Sequence, residues 1–336
     1  MEKGWGCKGG GRPAFLFMAG LAALALLLPA VARAQEDVVK VGDIPQLSNA
    51  GMYIAIEKGW FRERGIRNDL SIFATSAKTV PALTAGEVEV SMGAAAAGLF
   101  NAVAQGAPFR VVADKGQNRP GYGYTMLSVR KDLLDAGQVK EVKDLKGRKV
   151  AVWGKGITLD YFLGKLAEEE GLSLKDFDLV YMGAPNQVTA LETKAVDAVV
   201  TVEPWGARME ERGLARRIRT ADQIKGQASV QSGVVMYSGT FIRERRAVAQ
   251  RWMDAYLKGC DFYASKGVQD DEVLAVLEKY TKVPAKAIRA ATPYYLARDG
   301  RPNLDSLADM IQWFTANGLM PKAVSVDQVV DLSFLK

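Results

Sequence analysis

The chain contains the same helix-to-strand unit twice, and this repetition limits the folds that it can adopt. Residues 79–93 read TVPALTAGEVEVSMG, and residues 187–201 read QVTALETKAVDAVVT. Each stretch has a short helical pattern that runs into an apolar strand. Upstream, two further helical patterns end at Gly65 and Gly171, and a glycine just past the last turn is a common helix stop. Short apolar units of this kind also match by chance, but the shared order of helix, glycine and strand favours a true repeat.

A strand pattern precedes each repeat, namely VVKVGDI at residues 38–44 and KVAVWG at residues 149–154. Strands that alternate with helices over short connections are typical of an α/β fold with mainly parallel sheets. We therefore predict two βαβαβ lobes. Lobe I comprises residues 35–118 and 240–336, whose C-terminal helices pack on that lobe, and lobe II comprises residues 119–239.

The two lobes are expected to enclose a cleft, because ligands of open α/β sheets lie beyond the carboxyl ends of the strands. We expect residues 113–126 and 231–239 to cross between the lobes as a hinge that closes around a ligand. The loop at Gly154 and Gly156 precedes a helix but lacks both the phosphate-loop and the dinucleotide motifs. It is therefore expected to hold the polar edge of a small solute rather than a nucleotide phosphate.

The N-terminal segment has the pattern of a secretory signal peptide. Three basic residues precede an apolar run of 15 residues at 14–28, and the sequence VARA ends at Ala34. The apolar run is short for a membrane span, although an uncleaved anchor is the alternative. We expect cleavage after Ala34 and a periplasmic protein.

The composition excludes several kinds of chemistry. The sequence has no histidine, and Cys260 is the only cysteine after the signal segment. Serine–histidine and cysteine–histidine nucleophile systems are therefore excluded, and a zinc site would need carboxylates alone. Cleavage after Ala34 would lower the formal net charge from +6 to +3, because four basic residues and one acidic residue are removed. We expect no metal, no cofactor and no nucleic-acid partner, and we expect Cys260 to be a core residue.

Three segments resemble one family of known proteins. VKVGDIPQLSNAGMYIAIEKGWFRERGI (39–66), DLKGRKVAVWGKG (144–156) and VDAVVTVEPW (196–205) are similar to solute-binding proteins of ABC importers. The branch binds thiamine pyrimidine precursors, riboflavin, nitrate, taurine and aliphatic sulfonates. The resemblance implies a type II periplasmic-binding-protein fold and a monomer that delivers its solute to permease subunits with a cytoplasmic ATPase.

The chain departs from this family at two places. Relatives that synthesise the thiamine pyrimidine use a histidine and a cysteine-rich motif, and this chain has neither. Pyrimidine binders often carry a tryptophan just after the first strand, where this chain has GDIPQ. We therefore expect a binding protein and not an enzyme.

Candidate binding residues lie at predicted strand ends and helix starts. Asp43 is expected to accept a bond from a ligand donor or to cap a turn, and Thr158 to cap its helix and contact the solute. Glu203 would accept bonds from a ligand amine, and Trp205 is either a stacking surface or a core aromatic. A helix start near Lys78 suits an anion. The ten candidates are Asp43, Gln46, Asn49, Ser76, Lys78, Thr79, Gly156, Thr158, Glu203 and Trp205.

The sequence leaves the solute open between a planar or aromatic molecule and a small anion. Helix starts and Lys78 favour the anion, whereas Trp205, Glu203 and Asp43 favour the planar solute. Two other functions remain alternatives, a secreted enzyme on the same fold and a sensor module that reports ligand occupancy to a membrane receptor.

Overall fold

Two five-stranded sheets form the framework of the computed structural model, which describes residues 36–73 and 76–335. The predicted signal peptide at residues 1–34 and the side chain of Ser76 lie outside the described part. The strands within it are β1 (Asp37–Asp43), β2 (Ile66–Ile72), β3 (Val90–Ala94), β4 (Arg110–Asn118), β5 (Thr125–Arg130), β6 (Lys149–Val152), β7 (Asp178–Tyr181), β8 (Ala198–Val202), β9 (Ala215–Thr220) and β10 (Val230–Tyr237).

Helices surround both sheets. No helix within the described ranges is both long and apolar enough to cross a membrane. The α-helices of this part are α1 (Ala50–Glu57), α2 (Ser76–Ala85), α3 (Ala97–Ala104), α4 (Lys131–Asp135), α5 (Thr158–Glu169), α6 (Ala184–Glu192), α7 (Trp205–Glu211), α8 (Gly239–Glu244), α9 (Arg246–Lys266), α10 (Asp271–Thr281), α11 (Ala285–Ala290), α12 (Leu304–Ala316) and α13 (Val326–Val329).

The two sheets have the same internal arrangement. The first sheet has the strand order β2-β1-β3-β10-β4, and the second has the order β7-β6-β8-β5-β9. In the first, β1 is parallel to β2 and β3, while β10 is antiparallel to β3 and β4. In the second, β6 is parallel to β7 and β8, while β5 is antiparallel to β8 and β9. The predicted two-lobed α/β fold is confirmed, with the difference that each sheet is mixed rather than mainly parallel.

The repeated helix-to-glycine pattern corresponds to equivalent places in the two sheets. Gly65 adopts a left-handed φ of 67° before β2, and Gly171 adopts a φ of 70° after α5. This backbone region costs glycine little because it has no Cβ. Both glycines therefore end a helical segment and turn the chain into the edge strand of a sheet, as the sequence predicts.

The chain crosses between the sheets twice. It leaves the first sheet after Asn118 and joins the second at Thr125, and it returns between Thr220 and Val230. The expected return crossing at residues 231–239 is wrong, because β10 lies entirely in the first sheet. Strand β10 therefore belongs to the first sheet, although the predicted boundary at residue 239 assigned it to lobe II. The boundary at residue 118 remains a prediction.

Helices α1 and α9 pack closely against the first sheet. A Cβ atom on Gly259 of α9 would lie 1.9 Å from the carbonyl oxygen of Gly51 in α1, so only glycine permits this approach. Cys260 is buried at the same contact, where its side chain packs among Trp252, Tyr256 and other apolar residues. The prediction that Cys260 is a core residue is confirmed.

Helix α12 packs on elements of both sheets. Trp313 Nε1 donates to Glu168 Oε1 of α5 at 2.7 Å, and Tyr161 of α5 donates to Asp309. On the other side, Phe314 packs against Phe100 of α3 with ring centroids 6.2 Å apart. The C-terminal helices were expected to pack on the first lobe. Helix α12 does so and also packs on the second lobe, because its aromatic face fills the space between α3 and α5 and joins both lobes into one core.

We predict that Gly164→Ala in α5 lowers the free energy of unfolding by about 1–3 kcal/mol, the usual cost of overpacking a core. A Cβ at this position would lie 2.0 Å from the ring of Trp313. Gly98→Ala in α3 is the matched control, because a Cβ added at this position would meet no atom of a neighbouring element within 4 Å. This change should stabilise the helix by up to about 1 kcal/mol. Urea unfolding measures both, and equal effects would contradict the α5–α12 contact.

Candidate functional site

A cavity of about 410 Å³ lies between the two sheets. The first sheet contributes residues at the ends of β1, β3 and β10, and the second contributes residues around the end of β6 and the start of α5. This is the edge at which ligands of α/β sheets bind. The apolar and aromatic side chains of its wall are Ile44, Val80, Ala94, Ala96, Leu99, Tyr124, Trp153, Ile157, Leu159, Val202, Met236 and Tyr294.

The loop before α5 forms hydrogen bonds with residues that directly follow β3 of the first sheet. We call this contact the interlobe latch (residues 95–97 with 156–158). Ala97 N donates to Gly156 O at 2.9 Å, and Ala96 pairs with Ile157 as an antiparallel bridge. Thr158 Oγ1 donates to Ala95 O at 2.7 Å. The glycine loop therefore uses its backbone to hold the other lobe.

Thr158 differs from its predicted role as a helix cap. The N-cap of α5 is Ile157, which makes no side-chain cap bond, and the Thr158 hydroxyl donates instead to Ala95 O, which follows β3 of the first sheet. Thr158 and Gly156 both line the cavity. Contact of these two residues with a solute stays a prediction.

Asp160 supports the latch from behind. Its Oδ2 atom accepts from Gly156 N at 2.6 Å, and its side chain is fully buried. Desolvation by burial raises the pKa of Asp160 to about 6, although the bond from Gly156 lowers it. Asp160 itself does not line the cavity.

Gln46 lines the cavity on the first-sheet side. Lys115 Nζ lies 3.5 Å from Gln46 Oε1 and donates to Met92 O at 3.1 Å. Lys115 is fully buried, and desolvation lowers its pKa to about 8 against the opposing charges of Asp43 and Asp114. Sequence reasoning missed Lys115, because it lies within a strand and its side chain extends past Gly233 to Gln46, behind the cavity wall.

Asp43 and Asn49 form a buried network behind the cavity wall. Asn49 Nδ2 donates to Asp43 Oδ1 at 2.6 Å, and Tyr53 Oη donates to Asp43 Oδ2 at 2.8 Å. Burial raises the pKa of Asp43. Neither Asp43 nor Asn49 lines the cavity. Their polar atoms join the first loop to α1, and contact of either residue with a solute stays a prediction.

Glu203 and Trp205 also lie away from the cavity wall. Glu203 accepts from Ala207 N at 3.0 Å and from Thr292 N at 3.2 Å, so it ties β8 to α7 and to the C-terminal region. Trp205 packs against the small cluster beneath β6 and β8, with the Arg208 guanidinium 5.4 Å from its ring centroid. This packing agrees with the core alternative for Trp205, and its contact with a solute stays a prediction.

Residues 78–80 are the described side chains nearest the start of α2. Val80 lines it, whereas Lys78 is exposed and Thr79 is buried outside the wall. The side chain of Ser76 lies outside the described part. Of the ten predicted residues, the structure thus brings Gln46, Gly156 and Thr158 together at the cavity.

Sequence reasoning missed the aromatic residues of the wall. The rings of Tyr124 and Tyr294 stack with centroids 3.8 Å apart and planes at 23°, and Trp153 Nε1 donates to Gln187 Oε1 at 3.1 Å. Trp153 directly follows β6. The strand-end rule that selected Gly156 applies equally to this tryptophan and could have found it.

Charge is sparse at the cavity. Among the residues that line it, Lys155 is the charged one, and its side chain is exposed at the mouth. No carboxylate belongs to the lining set. In the described ranges, no group of His, Cys, Asp and Glu is arranged to hold a metal ion.

We predict that Thr158→Val lowers the free energy of unfolding by about 1–2 kcal/mol, because Ala95 O would lose a buried donor. Thr158→Ser keeps the hydroxyl and should lie within about 0.5 kcal/mol of the parent. Chemical denaturation of the two variants measures the difference. If the valine variant is as stable as the serine variant, the hydroxyl bond of the latch does not contribute.

We predict a pH-dependent stability difference between the parent and Lys115→Met. The unfolded lysine keeps its proton to about pH 10, whereas the folded one loses it near pH 8. Between these two pKa values the unfolded state binds more protons than the folded state. The free energy of unfolding of the parent therefore rises by about 1.5 kcal/mol relative to that of the variant between about pH 8 and about pH 9.5. Unfolding curves at both pH values test this prediction. A difference in the free energy of unfolding between parent and variant that stays constant with pH would contradict it. Cys260 has the opposite effect on the pH dependence of stability, because burial raises the pKa of its thiol. Both proteins contain Cys260, so its effect cancels in the difference between them.

Comparison with known proteins identifies relatives of similar size. A family described as NMT1/THI5 like matches residues 46–267. A protein of Brucella abortus (strain 2308), provisionally named a binding protein, is 24% identical over 303 residues, which cover 85% of this chain and 89% of the relative.

Solved structures have the same fold. The alkanesulfonate-binding protein SsuA of Xanthomonas axonopodis pv. citri, bound to MOPS, superposes with a TM-score of 0.70 at 19% identity over 88% of this chain and 99% of SsuA. The desulfurization enzyme DSZB superposes with a TM-score of 0.67 at 18% identity over 89% and 97% of the two chains. The periplasmic-binding-protein fold is thus confirmed. Because the family match spans more than half of the sequence, this chain belongs to the NMT1/THI5-like family.

Proposed function

We propose that this protein is the substrate-binding component of an ABC importer. It acts in the periplasm as a monomer, captures a small organic solute in the cavity between the two sheets, and delivers it to membrane permease subunits. The observation that carries this proposal is the cavity of about 410 Å³, enclosed by equivalent strand ends of two similar sheets. Pockets of this size and composition are typical of small-molecule sites.

The lining favours a mostly apolar solute. Apolar and aromatic side chains dominate the wall, and the neutral polar groups of Gln46, Ser48, Ser232 and Thr158 supply a few directional contacts. Such a wall gains most from a solute that buries hydrocarbon surface. Lys155 adds a single positive charge at the mouth, which suits a solute with one anionic group.

The alternative function is that of a secreted enzyme, since the desulfurization enzyme DSZB has the same fold. In this chain Cys260 is buried between α1 and α9, and burial raises the pKa of its thiol, which opposes formation of a nucleophilic thiolate. The Thr158 hydroxyl already donates to Ala95 O, and the lining residues include no carboxylate or histidine to act as its base. These features support binding without chemical conversion.

The proposal predicts that the purified protein carries a small organic molecule, which Val80→Trp expels. Val80 is partly exposed and lines the cavity, so a larger side chain can fill the space without entering the core. Val283→Trp is the matched control, because Val283 is partly buried near the end of α10, outside the cavity wall.

Native mass spectrometry of the three proteins tests this prediction. We expect an added mass on the parent and on Val283→Trp, and its loss from Val80→Trp. If the parent binds neither a carried molecule nor any member of a panel of organic acids and sulfonates, the proposed function is wrong. Release of a chemically altered molecule during incubation would favour the enzyme alternative.

A further inference from the structure

The amide of Gln187 is fixed by three hydrogen bonds inside the second lobe. Its Nε2 atom donates to Ala151 O of β6 and to Val200 O of β8, both at 3.1 Å. Its Oε1 atom accepts from Trp153 Nε1, also at 3.1 Å. The two carbonyls need a donor and the indole needs an acceptor, so the network defines the amide orientation.

Gln187 therefore holds the indole of Trp153 in one position. Gln187 is fully buried and bridges two strands, which makes it a rigid support. The Nε1 edge of Trp153 is engaged with Gln187, and its remaining ring surface is partly exposed and contributes to the cavity wall. A side chain that is already immobilised loses little conformational entropy when a solute packs on it.

We infer that the cavity selects planar aromatic solutes with one anionic group, that Trp153 is the stacking surface, and that Gln187 is its positioning residue. This inference rests on the proposed function and names the class of solute. An aromatic ring gains from stacking on a fixed indole beyond the area that it buries. Tyr124 and Tyr294 add a second aromatic surface to the same wall.

The charge and position of Lys155 indicate where the anionic group of the solute would lie. Lys155 lies two residues after Trp153, lines the cavity, and is exposed at its mouth. A carboxylate or sulfonate of a solute whose ring packs on Trp153 would reach this ammonium without entering the apolar interior. Because no carboxylate of the described residues lines the cavity, an anion meets no opposing charge from the described part of the wall.

Two probes of matched skeleton test the selectivity for planarity. Naphthalene-2-sulfonate is planar, whereas decahydronaphthalene-2-sulfonate has the same carbon skeleton and charge but is puckered. By calorimetric titration we expect the planar probe to bind the parent about tenfold more tightly, as stacking energies allow. Trp153→Leu should abolish this preference, and Lys155→Gln should weaken both probes to a similar extent.

The positioning role of Gln187 is tested with Gln187→Leu. We expect it to reduce the preference for the planar probe at least threefold and to shift or broaden the ¹⁹F resonance of Trp153 in protein labelled with 5-fluorotryptophan. Trp153→Phe assigns that resonance. Gln250→Leu is the control, because the Gln250 amide donates to Asp254 and to Phe334 O, away from the cavity, and it should change neither readout.

The outcomes separate this inference from the proposed function. Equal binding of the two sulfonates, or a planar preference that survives Trp153→Leu, would overturn the inference while the binding function stands. An unchanged ¹⁹F resonance and an unchanged preference in Gln187→Leu would overturn the positioning role. If neither sulfonate nor the molecule carried through purification binds the parent, the proposed function and the inference both fail.

Discussion

The interlobe latch is the contact on which the cavity depends. Backbone atoms of Ala97 and Gly156, and the hydroxyl of Thr158, connect the end of β3 to the loop after β6. These bonds bring two strand-end edges together, and the space between them becomes an enclosed site instead of an open groove. Helix α12 reinforces the same junction, because Trp313 and Phe314 fill the gap between α3 and α5 with aromatic surface. Sheet topology, latch and C-terminal helix thus act as one support for the cavity.

The chemistry of the wall follows from where the polar groups are placed. Asn49 and Tyr53 both donate to the Asp43 carboxylate behind the wall, and the Glu203 carboxylate accepts from the backbone of Ala207 and Thr292. Because these carboxyl groups have partners within the protein and do not line the cavity, the surface left to a solute is mostly apolar and aromatic, with a few neutral polar groups and Lys155. This arrangement explains why the described cavity wall contains no carboxylate, although Asp43 and Glu203 lie at strand ends.

The architecture follows from the sequence more directly than the site does. The repeated helix, glycine and strand order predicts two equivalent sheets, and Gly65 and Gly171 have the expected left-handed conformations. Strand ends indicate the correct edge, but they do not determine which side chain faces the cavity. Trp205 and Trp153 both follow a strand, yet one packs into the lobe and the other lines the cavity. That choice depends on contacts between distant segments, such as Gln187 with Trp153 and Thr292 with Glu203, which local patterns do not contain.

The most direct test of this account is a crystal structure of the protein purified from its native host without exchange of bound molecules. We expect electron density for one organic molecule between the two sheets, in contact with Trp153 and with the wall that Tyr124 and Tyr294 form. Density for a bound solute at another place, such as beside Trp205 or Lys78 with only water in the cavity, would contradict it.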